Sequence, residues 1–589
     1  MGKTFISQDN LPRIPIPKLN DTCNRFIEWV EPLLNKEDFI RTKKIVEKFR
    51  SKGGDGEKLQ EELIRWSERN NLSNWTAPFW YDIYLKPRHP LPINSNVFYL
   101  LKDKLNVLEL SQTYIAAALV MSILKFKSLI DKEELEVDSQ DGKPICMDQY
   151  RKMFSATRIP KRERDELKIT LNKKYIVVLY KGNIFTVDVL EDSGETRSFP
   201  EIEEDFKHII SKSEGSDDEE IGILTTMNRD KWADARESLL QVDKRNKEYM
   251  EKIDSAIFVL CLDDEGIESL DDAANRLLHG NGRNRWFDKS LQFIVTGNGK
   301  IGINMEHTGI DGSVMVRLIK FIHEDIDKVY IAENKKSKKK PEKLKIYLND
   351  ELRKVIKDTS NQLDDFISNT QIRVLDFNKF GKDLIKTFNI SPDAFVQLAL
   401  QLAQYKLYGR CYSSYEAVMT RKFLHGRIEV MYCVSLESIK FIENMLKVSC
   451  DDKIKANSLL EAAKKHKARM NDCRNGRGID THLLGLLNMY KLFGKNIGID
   501  FFPEVFNDKG YKILTHSTVC TSTTSTNGIE LVGYGPIVDD GFGIRYLKYR
   551  DSIRFNMTSR SHIKEKLDKL IFYIEESLVE MAELMEKVI

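Results

Sequence analysis

The sequence predicts an α/β protein with at least two large lobes, and three observations carry that expectation. At 589 residues the chain exceeds the size at which one hydrophobic core keeps growing. Strand-like runs rich in Val, Ile and Tyr alternate with segments of helical period along the chain. An apolar fraction of 41%, with 10% aromatic residues, is ordinary for a globular protein.

Leu11-Pro-Arg-Ile-Pro-Ile-Pro-Lys-Leu19 is an extended lead-in, because three prolines exclude a helix interior. Helical patterns run from there to about residue 70, and Pro78 to Pro92 reads as an irregular aromatic stretch. Leu110 to Leu129 is apolar over most of its surface and so a buried helix. Lys174 to Val189 has the pattern of a β-hairpin around Gly-Asn. Ser213 to Glu220 is an acidic surface stretch suited to a helix start, and Ser255 to Leu262 is an apolar strand. Gln292 to Met305 reads as two short strands around an Asn-Gly turn. Lys335-Lys-Ser-Lys-Lys-Lys-Pro-Glu-Lys343 fits a solvated linker better than a nucleic-acid patch. Asp393 to Tyr408 and Glu461 to Cys473 have helical period, Leu531 to Tyr546 has strand and turn character, and Lys564 to Val588 is a closing amphipathic helix. No internal repeat is visible in the residues.

Lys plus Arg (92) nearly balances Asp plus Glu (90), so a net charge of +2 gives no basis for broad nucleic-acid binding. An anionic ligand would need a local basic patch. The eight cysteines include no Cys-x-x-Cys pair, which suits reduced thiols rather than a disulfide framework or a metal site. No apolar run approaches the roughly 20 residues of a membrane span, and the N-terminus lacks a signal-peptide core. A cytoplasmic monomer is the expectation.

Chemistry concentrates at His307, which leaves the Gln292–Met305 hairpin into a loop carrying Asp311 four residues on. Gly297-Asn-Gly-Lys-Ile-Gly302 matches the dinucleotide fingerprint, but its sequel is strand-like where a phosphate site needs a helix N-terminus. The G-x-S-x-G nucleophile elbow is absent. Upstream lies Arg285-Trp-Phe-Asp-Lys289, and further blocks follow in order along the chain. They include Arg158-Ile-Pro160, Phe380-Gly-Lys-Asp383, Ser391-Pro-Asp-Ala-Phe395, Tyr415-Glu416, Gly426-Arg427, His482-Leu-Leu-Gly-Leu486 and Gly535-Pro-Ile-Val-Asp-Asp-Gly-Phe-Gly543. The ordered set resembles the choline/carnitine acyltransferase family over nearly the whole chain.

That resemblance implies two similar lobes of the chloramphenicol-acetyltransferase-like fold with an active-site tunnel between them. Residues 75–345 would form the first lobe, and 1–74 with 346–589 the second. It implies direct acyl transfer between coenzyme A, a cosubstrate rather than a bound cofactor, and an alcohol. His307 would act as general base, Ser522 as oxyanion donor, and Asp311 paired with Arg427 as the scaffold behind the histidine. Lys382, Lys386, Ser391 and Asp393 match the coenzyme A path, and no metal is called for.

The acceptor positions depart from the carnitine pattern. Carnitine-specific members carry an Arg where this chain has Thr481, and a Thr where it has Ile428. Losing a charge-assisted partner for a buried carboxylate costs on the order of 2–5 kcal/mol. Tyr84, Tyr415 and Tyr534 complete the expected acceptor site, with Tyr534 available for cation–π contact to a quaternary ammonium. Choline or a similar amino alcohol is therefore the first expectation. Carnitine, with Arg421 moving in as the cation, is the alternative, and a catalytically silent coenzyme A binder is a third. Val532, in the position that sets acyl length, suits acetyl or another short acyl group.

Overall fold

The computed structural model describes residues 2–105, 109–214, 219–328, 339–524 and 527–588. Two large sheets organise it. The first has eight strands in the order Glu342–Lys343, Asn183–Asp188, Tyr175–Tyr180, Val259–Leu262, Leu291–Val295, Ile301–Met305, Val97–Leu101 and Ile529–Gly533. The second has six, in the order Thr370–Phe377, Ile553–Arg560, Phe542–Lys548, Val519–Thr523, Ser414–Met419 and Ile428–Tyr432. The molecule is thus a two-lobed α/β protein.

The two sheets share one plan that the residues conceal. Each opens with an antiparallel hairpin, Tyr175–Tyr180 with Asn183–Asp188 and Ser414–Met419 with Ile428–Tyr432. Two parallel strands follow in each, and the second of them turns back as an antiparallel neighbour. Each plan ends on a strand from earlier in the chain, Val97–Leu101 or Thr370–Phe377. The sheets are tied together by Ile529–Gly533, which follows the second sheet's central strand yet pairs antiparallel with Val97–Leu101 in the first.

Several elements differ from the sequence expectation. Ala77–Leu85 is helical rather than irregular, because Pro78 falls in its first turn, where a missing N–H costs nothing. The hairpin turn at Lys181-Gly182 has both residues at positive φ, so Asn183 already belongs to the strand and pairs with Tyr180. Ser213 ends the helix Phe199–Ser213 instead of starting one. The strand within 255–262 is only Val259–Leu262, since Ser255 closes a helix. Residues 215–218 of the acidic stretch and 335–338 of the basic run lie outside the described residues.

Gln112–Asp131 is, by length and composition, apolar enough to cross a membrane, contrary to the expectation from the sequence. Here 67% of its most apolar window is buried, so it reads as a core helix of the first lobe. Pro392–Tyr408 holds the matching place in the second lobe, buried along its whole middle. The N-terminal helices Leu19–Val30, Lys36–Arg50 and Asp55–Arg69 contribute to the second lobe's core through Phe26, Trp29, Phe49 and Leu63.

Candidate active site

The hairpin Leu291–Val295 and Ile301–Met305 delivers His307 just beyond its last strand, and a loop then runs to the helix Gly312–Asp325. The loop is held mainly by charge. Arg427 donates from Nη2 to Asp311 Oδ1 at 2.7 Å and to the His307 carbonyl at 2.9 Å, and from Nη1 to the Thr308 carbonyl. Gln149 closes the other side, donating to Asp311 Oδ2 at 2.8 Å and accepting from the Asp311 N–H at 2.7 Å. Burial pushes the Asp311 carboxyl up, but the Arg427 guanidinium outweighs it and holds the group below the usual carboxylate range.

The imidazole itself stacks on Tyr84, with ring centroids 5.1 Å apart and 11° between planes. Its Nδ1 is buried, with Asp311 Oδ1 3.6 Å away, outside hydrogen-bond range. Burial lowers the His307 pKa, and Asp311 only partly opposes it, so the ring is neutral at neutral pH. The side chain still keeps 18% of its surface open. A neutral imidazole, desolvated but reachable, is what a general base requires.

The second lobe contributes the strand Val519–Thr523. Ser522 is half-buried on this strand, and its Oγ accepts from Arg545 Nη1 at 2.9 Å. Cys520 is buried, and its thiol faces the Tyr534 hydroxyl at 3.4 Å. Tyr534 donates to the carbonyls of Cys520 and Ile544, and its ring already has the Arg545 guanidinium 5.9 Å from the centroid. The cation beside Tyr534 is thus one of the chain's own. Arg427 likewise lies 5.2 Å from the Tyr84 ring.

A groove of about 670 Å³ runs along the end of the strand Phe542–Lys548 and is lined by Lys102, Lys382, Lys548, Arg550 and Arg554, among others. Lys382 therefore sits among these cations, with Asp383, Glu530 and Asp551 in the same lining, whereas Lys386 lies one turn on, exposed and outside it. Ser391 is exposed at the start of the helix Pro392–Tyr408. Asp393 points inward, paired with Lys548 and accepting from the Tyr546 hydroxyl at 2.9 Å. His466 lies 3.8 Å from it and 3.3 Å from Glu416. Burial alone would keep His466 neutral, but these two carboxylates raise its pKa to about 9. Glu416, Cys433 and His466 bring their ligand atoms within 4.8 Å of one another, as a metal site would. The imidazole is already shared between two carboxylates, so the cluster reads as a buried charge network.

On the acceptor side the structure adds residues that the sequence reading missed. Tyr415 and Ile428 are half-buried on the paired strands Ser414–Met419 and Ile428–Tyr432. Thr481 is only 2% exposed, and its hydroxyl donates to Glu429 at 2.6 Å while its N–H donates to the same carboxylate at 3.1 Å. Glu429 tucks against Gly478, where a Cβ would come within 2.4 Å of its carboxyl carbon. Burial and neighbouring Asp480 push the Glu429 carboxyl up to about 8. Asp480 accepts from the Tyr432 hydroxyl at 2.5 Å, is raised by burial, and lies close enough to Tyr415 to act on its phenol. Among the described residues no cation offsets either carboxylate. Arg421, the candidate replacement cation, is 1% exposed and bound to Asp138 at 2.8 Å and to the Cys146 carbonyl, which corrects the expectation that it moves in. Val532 is 1% exposed, opposite Tyr99 in the first sheet. The signal for Glu429 and Asp480 was present in the sequence, since each adjoins a residue already singled out.

Comparison with known proteins identifies the family. A family model described as Choline/Carnitine o-acyltransferase matches residues 14–576. The carnitine O-acetyltransferase of Columba livia is 33% identical over 99% of this chain and 95% of its own length. That of Mus musculus is 32% identical over the same shares. The human mitochondrial carnitine O-palmitoyltransferase 2 is 30% identical over 94% of this chain and 89% of its own. Among solved structures, the first condensation domain of the CDA synthetase aligns over 87% of this chain and 94% of its own, with TM-score 0.38 and 9% identity. Matched by a family model over most of its length and by relatives nearly end to end, the chain belongs to the choline/carnitine O-acyltransferase family and is a CoA-dependent O-acyltransferase.

Proposed function

We propose that the enzyme moves a short acyl group, acetyl first, between coenzyme A and the hydroxyl of a small amino alcohol of the choline type. His307 Nε2 takes the proton of the acceptor hydroxyl as its oxygen attacks the thioester carbonyl. The Ser522 hydroxyl donates to the oxyanion so formed. Collapse of the tetrahedral intermediate breaks the carbon–sulfur bond, and the leaving thiolate takes the proton back from the imidazolium. No covalent acyl-enzyme is needed. Asp311 and Arg427 hold the loop and carry no proton. Lys382 and the neighbouring cations of the 670 Å³ groove bind the coenzyme A phosphates.

The observation that carries the acceptor class is the Glu429–Asp480 pair beside Thr481, two buried carboxyl groups that no cation among the described residues offsets. A carboxylate-bearing acceptor brought there would find no cation to pair with, whereas a cationic one would favour ionisation of these raised carboxyl groups and pair with them. The closed packing around Val532 supports a short acyl group. Carnitine is the second reading, favoured by the names of the most similar relatives. Thiol release from acetyl-CoA, measured with choline, carnitine and ethanolamine as acceptors, separates the two. Choline or ethanolamine should exceed carnitine by at least about 30-fold in kcat/KM, and Thr481→Arg should invert that preference. Carnitine as the best acceptor of the unaltered enzyme would overturn the proposal.

A further inference from the structure

The strand Phe542–Lys548 places Arg545 directly beside Ser522 in the parallel register of the second sheet. Arg545 is 6% exposed. Its Nη1 donates to Ser522 Oγ at 2.9 Å and its Nη2 to Thr524 Oγ1 at 3.3 Å, while Nε is buried without a partner. A Cβ on Gly312, the first residue of the helix that follows the His307 loop, would lie 3.1 Å from Nη2 and 3.3 Å from the Tyr99 hydroxyl. That hydroxyl is buried and unpartnered as well. Among the described residues no carboxylate forms an ion pair with Arg545. A desolvated guanidinium with no counter-ion is costly to keep, and such groups gather where negative charge develops during a reaction.

We infer that Arg545 is a positioning residue of the acyl-transfer step, holding Ser522 as a donor and setting a fixed positive charge one hydrogen bond behind the oxyanion. The inference rests on the reading of Ser522 as the oxyanion donor. By donating to Ser522 Oγ, the guanidinium fills an acceptor site on that oxygen and leaves the hydroxyl proton free for the intermediate. A charged donor polarises the O–H it binds and strengthens its outgoing bond. The charge is preorganised, so none of its orientation has to be found during the reaction.

The test is a double-mutant cycle on kcat for acetyl-CoA with the best acceptor. Arg545→Gln should lower kcat about 10- to 100-fold while KM for acetyl-CoA stays within about threefold, as expected when only transition-state stabilisation is removed. Arg545→Lys, which keeps the charge, should recover about tenfold over the Gln variant. In a Ser522→Ala background Arg545→Gln should cost less than about threefold, because its effect passes through the missing hydroxyl. Losses that multiply, a Gln variant with unchanged kcat, or a Lys variant no better than Gln would each overturn the inference. If the Gln variant melts early, the Lys variant takes its place in the cycle, and a loss that persists in the Ser522→Ala background again overturns it. Ser522→Ala with full activity would instead remove the Ser522 reading on which the inference rests.

Discussion

The two lobes use the same order of strands to different ends. In the first, the residue two beyond the strand Ile301–Met305 is His307; in the second, the residue two beyond Ile553–Arg560 is His562. His307 is stacked on Tyr84 and its loop is fixed by Arg427 and Gln149. His562 is exposed, and the helix Lys564–Val588 starts only two residues later, leaving no room for such a loop. The asymmetry runs the other way at the parallel strands. The fourth residue pair there is Ser522 with Arg545 in the second sheet and Leu262 with Val295 in the first. One lobe carries His307, and the other carries Ser522 with Arg545 beside it. A repeated fold therefore fixes where a side chain emerges, and the neighbours brought in from elsewhere decide whether it does chemistry.

The widest gap between the two histidines should appear in turnover. His307→Ala should lower kcat by about 10³-fold or more, within the range a general base contributes, whereas His562→Ala should leave it within twofold. Equal losses would mean that the shared strand plan does not separate the lobes functionally. A smaller but clear effect belongs to the clamp. Asp311→Ala leaves Arg427 buried without its partner and should cost about 3–5 kcal/mol in denaturant unfolding. The exposed Arg550–Asp383 pair of the second lobe should contribute less than about 1 kcal/mol when Asp383 is changed to Asn. Similar costs at both pairs would contradict the burial argument.

Smaller again is the expected pH effect. A general base at His307, as proposed, works in its neutral form, and burial lowers the His307 pKa below its ordinary value. The rate should thus be constant through neutrality and fall only as the pH drops below about 6.5, the unperturbed value for an imidazole. Asp311 is the group that partly raises this pKa, so Asp311→Asn should carry the acid limb to still lower pH. A limb that moved upward would show that another group controls it. The slightest expected change is at Lys386, exposed one turn from the basic groove. Lys386→Ala should raise KM for acetyl-CoA only a few-fold, less than Lys382→Ala does.

Much of the site was legible before the structure because its residues are local. The hairpin Gln292–Met305, the exit of His307 and the acid four residues on follow from turn chemistry and alternation within one short segment. The helix at Ala77–Leu85 was missed because three later prolines made the whole stretch look irregular, although Pro78 sits where a helix tolerates it. Arg545 left no local signature, and Glu429 and Asp480, although each adjoins a residue singled out in the sequence, showed nothing of their pairing. Each gains its meaning from a neighbour on a different strand or helix, and from the absence of a counter-charge that only packing reveals. The sheet crossing by Ile529–Gly533 was hidden for the same reason, since an edge strand looks alike whichever sheet it joins.

By itself the sequence determined the α/β class, the family resemblance and the place of His307 at the exit of a hairpin, since period, turn residues and ordered motifs are written along one dimension. The tertiary structure alone decided that two lobes repeat one strand plan, that Arg421 is already bound elsewhere, and that among the described residues neither Arg545 nor Asp480 forms an ion pair. Charge balance inside a protein depends on distance and burial, and residues far apart in the chain settle both.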